Sequence, residues 1–154
     1  MELRITPIRN GTVIDHLPAG SALAVCRVLG IPRDGSASTV SVVMNVPSAR
    51  TGRKDIVKVE DRELAAADLA RLAVLAPQAT VNLIRDHRVA AKLQVELPER
   101  VTDAIRCPND ACISNDDEPV AAEFEVGPVG QTGRPLLTCA FCRSQVTDPL
   151  PLVR

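Results

Sequence analysis

The stretch GTVIDHLPAGSALAVCRVLGI, residues 11–31, changes character at its middle. Gly11 to Pro18 reads as an extended arm, with Asp15 and His16 set among Val13, Ile14 and Leu17 and a proline closing the run. From Gly20 the apolar spacing is helical, with Ser21 at the N-cap position, Cys26 on the apolar face and Gly30 as terminator. Neighbouring residues of an extended chain face opposite ways, so Asp15 and His16 are expected on opposite faces, where a relay between them is not available.

Upstream, LRITPIRNGTVIDHL reads as two extended pieces around the Asn10-Gly11 turn signal. Downstream, STVSVVMNVP (38–47) and KDIVKVED (54–61) are β-branched and extended, on either side of a PSARTG turn. RELAAADLARLAVLAP (62–77) places Leu64, Ala67, Leu69, Leu72 and Leu75 at helical spacing and stops at Pro77. TVNLIRD (80–86) and RVAAKLQVEL (88–97) return to extended character, and LPERVTDAI (97–105) reads as a short linker or helical turn. The expected fold class is α+β: an N-terminal antiparallel sheet with two helices on one face, ferredoxin-like, followed by a small C-terminal β-rich domain that bears four of the five cysteines. The expected division is residues 1–98 and 99–154.

Charge divides at the same place. Residues 1–98 carry 13 Lys or Arg against 10 Asp or Glu, a net +3, and residues 99–154 carry 5 against 9, a net -4. The basic part would attract a phosphate ligand, whereas the acidic part would repel a polyanion. There is no Trp or Tyr and only Phe124 and Phe141, which weakens single-stranded nucleic-acid binding by base stacking. No apolar run approaches the roughly 20 residues that span a bilayer, and no secretory apolar segment follows the opening MELRITPIRN, so a cytoplasmic location without membrane contact is expected.

Cys107 and Cys112 form CxxxxC, and Cys139 and Cys142 form CxxC, with 26 residues between the pairs. Two such tight turns can bring four thiolates to the corners of a tetrahedron, the arrangement zinc favours. Four protein ligands leave no position for an activated water, so the expected cofactor is one structural Zn2+ per chain. Two disulfides, a redox CxxC and a rubredoxin-type iron site remain alternatives; the first sits poorly with a reducing compartment and with the odd fifth thiol, Cys26. No Walker loop, GxGxxG or nucleophile motif is present.

GTVIDHLPAG, PSARTGRKDIVKVED (47–61), LAPQATVN (75–82), CPNDACIS and CAFC resemble, in order and spacing, the signatures of the aspartate carbamoyltransferase regulatory chain, over nearly the whole sequence. The resemblance implies a non-catalytic subunit that controls the first committed step of pyrimidine biosynthesis. Its N-terminal domain would bind nucleoside triphosphates (CTP, UTP, ATP), its zinc domain would contact a separate catalytic chain, and the regulatory chain would form a homodimer. By the same resemblance Asp15 would hold the ribose, His16 and Lys92 would face the triphosphate, and Lys58 would contact ribose and base edge. Asn82 and Ile84 would fall on further pocket positions, and Val89 would line it.

Three departures from the family pattern stand out: Thr6-Pro7 where relatives often carry Glu-Ala, His87 where Tyr is common, and Asp110-Ala111 where some have Ser-Asn. The first two bear on which nucleotide is read, the third on contact with the catalytic chain. Two other readings compete with the resemblance. One is a zinc-ribbon nucleic-acid-binding protein, opposed by the acidic cysteine half. The other is an enzyme using Asp15 and His16.

Overall fold

Gly11–Pro18 (β1) is the central strand of a five-stranded antiparallel sheet and is paired along both edges. The computed structural model describes residues 7–116 and 120–153. Thr12 and Ile14 are fully buried, and so are Val57 and Val81 on the strands to either side. This alternation assigns one face of the sheet to the core.

The other strands are Val40–Ser48 (β2), Gly52–Glu60 (β3), Thr80–Arg85 (β4) and Arg88–Gln94 (β5), in the order β2-β3-β1-β4-β5. Helices Ala22–Leu29 (α1) and Ala66–Leu75 (α2) follow β1 and β3 and pack Val25, Leu29, Leu72 and Leu75 onto the buried face. Two strand-helix-strand units interleaved around β1 make the ferredoxin-like arrangement, to which β5 adds a hairpin. A second antiparallel sheet holds Arg100–Thr102 (β6), Glu123–Val129 (β7), Pro135–Cys139 (β8) and Gln145–Val146 (β9), in that spatial order. It is centred on buried Phe124 and Leu137. The fold is therefore α+β with a small β-rich cysteine-bearing part, as the sequence implied.

Several local expectations are corrected. Gly11 to Ile14 pair with β3 on one side and β4 on the other, so β1 has no free edge for the upstream arm, and the Asn10-Gly11 hairpin does not form. Residues 1–6, which include most of that arm and Thr6, lie outside the described residues. Gly11 is needed for another reason: a Cβ there would lie 2.1 Å from the Val59 carbonyl oxygen. Residues 100–102 form a strand where a linker or helical turn was expected. Helix α2 starts at Ala66, two residues after its apolar spacing begins at Leu64, where the Asp68 carboxylate accepts the Ala65 N–H at 3.0 Å.

Ser21 sits at the predicted N-cap but turns its hydroxyl back to the Pro18 carbonyl, 2.6 Å away. The cap comes from Asp55, 33 residues downstream of Ala22 and fully buried. Its Oδ2 accepts the N–H groups of Gly20 (2.9 Å) and Ala22 (3.0 Å), and its Oδ1 accepts that of Asn45 (2.8 Å). One carboxylate thus ties β3 to the start of α1 and to the irregular turn of β2, at the helix end where negative charge is favoured. Asp55→Ala leaves those three donors without their acceptor and is expected to destabilise the chain by about 2–4 kcal/mol. Asp55→Asn, which keeps one acceptor, should cost less. Urea unfolding followed by far-UV circular dichroism checks both; equal stability of D55A and the parent would show that the cap contributes nothing.

Candidate functional site

The face of the first sheet opposite the helices carries polar side chains in register. Residues directly opposite one another in an antiparallel ladder share a face. Val13 lies opposite Lys58 of β3 on one side and Asn82 of β4 on the other, and Asn82 lies opposite Lys92 of β5. Lys58, Asn82 and Lys92 therefore form one row across the sheet with Val13 between them, although 34 residues separate the two lysines in sequence. Among the described residues, neither lysine has an ion-pair partner.

Asp15 begins the adjacent row, opposite Thr80. Here β1 departs from regular geometry: Ile14 pairs with Val57 and Leu17 with Asp55, so Asp15 and His16 together oppose the single residue Ile56. This is a β-bulge, and His16 occupies a left-handed conformation with φ 59°. The bulge overturns the expectation that the two side chains diverge. His16 Nδ1 lies 2.8 Å from Thr80 Oγ1, on the residue that faces Asp15, while the His16 N–H donates to Asp15 Oδ1 at 2.6 Å. Both residues are turned to the open face.

Lys54 completes this corner, its Nζ 2.9 Å and 3.2 Å from the two Asp15 oxygens. Burial acts to raise the Asp15 pKa, but the Lys54 hydrogen bond and then the His16 N–H outweigh it and hold the carboxyl below its ordinary value. On the other side of the lysine row, Ile84 faces Gly11 and Val89, with Ile84 buried and Val89 60% exposed. His87 lies just beyond, in the two-residue turn Asp86-His87 that joins β4 to β5, where both residues have positive φ. All seven sequence-predicted residues, Asp15, His16, Lys58, Asn82, Ile84, Val89 and Lys92, thus lie along one contiguous patch of four strands, β1, β3 and the β4–β5 hairpin. Lys54 and Thr80 belong to the patch too; only the bulge and the register reveal them.

The second site is a sulfur cluster. The Sγ atoms of Cys107, Cys112, Cys139 and Cys142 lie within 4.8 Å of one another, with Cys107–Cys142 at 3.5 Å and Cys112–Cys139 at 3.7 Å. A disulfide requires about 2.05 Å. Four sulfurs about 2.3 Å from a tetrahedral zinc stand roughly 3.8 Å apart, so the observed spacing fits the ion and not a bridge. All four thiols are free.

Local structure holds each ligand. Asn109 closes the first knuckle by accepting the Cys112 N–H on its carbonyl and the Ala111 N–H on its side chain. The Asn115 amide bridges the carbonyls of Cys107 (3.0 Å) and Asn109 (2.8 Å). The second knuckle leaves the end of β8 and turns at Arg143, φ 66°. Ser114 Oγ is 3.2 Å from Cys112 Sγ, and Ser144 Oγ is 3.1 Å from Cys142 Sγ. The Ser144 hydroxyl, helped by its N–H, lowers the Cys142 pKa, whereas burial pushes Cys107 up. Zinc held by these four residues supplies cross-linking bonds, and its closed coordination leaves no open position for chemistry.

Comparison with known proteins gives the family. Residues 3–96 match the family model of the aspartate carbamoyltransferase regulatory chain, allosteric domain, and residues 99–149 match the metal binding domain of the same chain. The chain belongs to this family. It is 47% identical over 148 residues to the aspartate carbamoyltransferase regulatory chain of Methanoculleus marisnigri, covering 96% of this chain and 91% of that one. It is 46% identical over 151 residues to that of Haloarcula marismortui (97% and 92% covered) and 51% over 148 residues to that of Haloquadratum walsbyi (96% and 79%). The protein is therefore a regulatory and not a catalytic chain, of pyrimidine biosynthesis, with a four-cysteine centre that fits one structural zinc. Family membership sets aside the nucleic-acid-binding and Asp15-His16 enzyme readings. Among the described residues, no helix is long and apolar enough to cross a membrane.

Two outcomes are expected. Chelating the zinc, or lowering the pH until protons displace it, should unfold the second sheet while the first stays folded, because thiolate ligands bind only when deprotonated. Hydrogen exchange read by mass spectrometry should show deprotection confined to residues beyond about Glu99; uniform protection after complete metal loss would refute it. For Asp15 the folded-state pKa is depressed, so its contribution to stability is present above the unfolded value, about 3.9, and is lost as pH falls through the folded value. An NMR titration should find Asp15 titrating below that value, and Lys54→Met should move it upward.

Proposed function

We propose that the open face of the first sheet binds a nucleoside triphosphate, CTP, UTP or ATP, and that the zinc part docks on a catalytic chain whose response to aspartate it controls. In this reading residues 1–98 are the effector-binding domain and residues 99–154 the docking domain. The observation that carries it is the row Lys58-Asn82-Lys92 beside the Asp15-His16 bulge. Three strand spacings separate β3 from β5, about 14 Å, so one lysine meets the ribose and base edge while the other, with His16, meets the triphosphate. Two lysines without carboxylate partners among the described residues supply charge-assisted bonds at little competing cost. The Asp15 carboxylate, kept ionised by Lys54, accepts from a ribose hydroxyl. Ile84 and Val89 give the base an apolar seat, with His87 at its edge.

The route to the zinc part runs through α2. Arg71 Nε donates to the Thr102 carbonyl at 3.3 Å, and Arg134 Nε, from the β7–β8 hairpin, donates to the Leu75 carbonyl at 2.9 Å. A shift in the first sheet would reach β6 and the β7–β8 hairpin through those bonds. At the knuckles, Ile113 and Phe141 are exposed apolar residues next to metal ligands and are the natural contact for the catalytic chain. Exposed Val42 and Met44 on edge strand β2 support pairing of two regulatory chains. Reduced thiols are in keeping with work in the cytoplasm.

A nucleotide moves the complex only by binding one of its states better than the other, and about 1–3 kcal/mol of coupling is the usual range. The test is co-purification with the catalytic chain, followed by aspartate saturation curves with each nucleotide. Lys58→Gln and Lys92→Gln are each expected to weaken nucleotide binding by roughly tenfold or more without loosening the complex. If saturating CTP, UTP and ATP all leave the curves of the parent complex unchanged, the regulatory reading of the sheet face fails.

A further inference from the structure

We propose that the cleft on the helix side of the molecule, where α1 and α2 meet the segment after β6, is a second binding site, for a small free phosphate or diphosphate anion. The cleft has a volume of about 560 Å³ and is lined by Arg27, Arg33, Arg62 and Arg71 against two acids, Asp68 and Asp103. Four positive charges against two negative leave a net +2.

The arginines differ in how they are held. Arg62 forms the floor: its side chain is 17% exposed, with Nη1 2.5 Å from the Leu29 carbonyl oxygen and Nη2 3.4 Å from Asp68. Arg71 Nη1 also approaches Asp68, at 3.9 Å. One carboxylate is thus shared by two guanidinium groups, and a surplus positive charge sits in a partly desolvated place. Arg27, in the last turn of α1, and Arg33, in the loop after it, stand exposed on the rim with no ion pair or side-chain hydrogen bond among the described residues. Guanidinium forks match the oxygens of phosphate in pairs, and a concave wall of them concentrates small anions. The acidic second part of the chain edges the cleft through Asp103 and disfavours a long polyanion.

The position gives such an anion leverage. Asp103 and Ala104 lie just past β6, whereas the other lining residues belong to the helices and loops of the first sheet. An occupant therefore touches both parts of the chain, on the opposite side of the sheet from Lys58 and Lys92. If it binds one relative arrangement of the two parts better than another, it shifts the chain toward that arrangement.

The experiment is titration calorimetry of the full-length, zinc-loaded chain with sodium pyrophosphate at low ionic strength. Arg27→Gln with Arg33→Gln removes the two rim charges and no hydrogen bond of the fold; Arg50→Gln with Arg88→Gln, two exposed arginines that line neither the cleft nor the sheet-face patch, is the charge-matched control. Saturable binding is expected, weakened roughly tenfold or more by R27Q/R33Q and left within about twofold by R50Q/R88Q. The proposal is overturned by an absence of saturable binding, by R27Q/R33Q binding like the parent, or by both pairs weakening it alike. It rests on the arginine geometry alone: a chain that fails to respond to nucleotides can still pass this test, and one that responds can still fail it.

Discussion

Both edges of β1 are hydrogen-bonded, and this constraint organises the first two-thirds of the molecule. A strand in that position must commit one face to the core, and Thr12 and Ile14, with Val57 and Val81 beside them, make the commitment. Every residue of opposite parity on β1, β3 and β4 is then turned to the other face, where Lys58, Val13 and Asn82 align. The irregularity of β1, the bulge at Asp15 and His16, keeps two consecutive side chains on that open face where a regular strand would divide them. One extra residue in β1 is what allows an acid and an imidazole to serve the same surface.

What the sequence made legible follows from the range of the interactions. The cysteine knuckles could be read because each closes over four to six residues and its spacing records its geometry directly. Helix α1 could be placed because its apolar spacing and Gly30 are local signals, and Gly30 does end it, in the left-handed conformation with φ 65°. The Asn10-Gly11 hairpin failed because a strong local turn signal lost to a non-local requirement: the edges of β1 were already taken by β3 and β4. Residues 100–102 make too short a strand for periodicity to show. Asp55 as the cap of α1 was hidden for the same reason as the hairpin error, since its partners lie 33 and 35 residues upstream.

The candidate nucleotide surface was legible only through family resemblance. Lys58, Asn82 and Lys92 are spread over 35 positions of sequence, and nothing in their spacing says that they share a row; the register of three ladders says it. The arginine cleft was more hidden still. Its four cations come from α1, the loop after α1, the segment before α2 and α2 itself, so only the packing of the two helices brings them together. His16 shows the limit from another side, because a left-handed φ at a non-glycine residue leaves no mark in the residue types around it.

Helix α2 is the physical link between the two sheets, and its chemistry explains why a signal would travel that way. The last carbonyls of a helix lack intrahelical donors, and a cation at that end is favoured by the helix dipole. Arg134 meets both needs from the second sheet by donating to the Leu75 carbonyl, at the cost of a half-buried guanidinium whose pKa is lowered by desolvation and only partly restored by Asp148, 4.0 Å away. Arg71 makes the converse bond, from the helix to the backbone of β6. The two bonds lie near opposite ends of one turn of α2 and reach different strands of the second sheet, so a rotation of α2 would strain them unequally. In the proposed regulatory role, a helix bonded at two points to the second sheet would turn small changes under its apolar face into a change of angle between the two parts. A metal held by the four cysteines would brace the receiving sheet against absorbing that change.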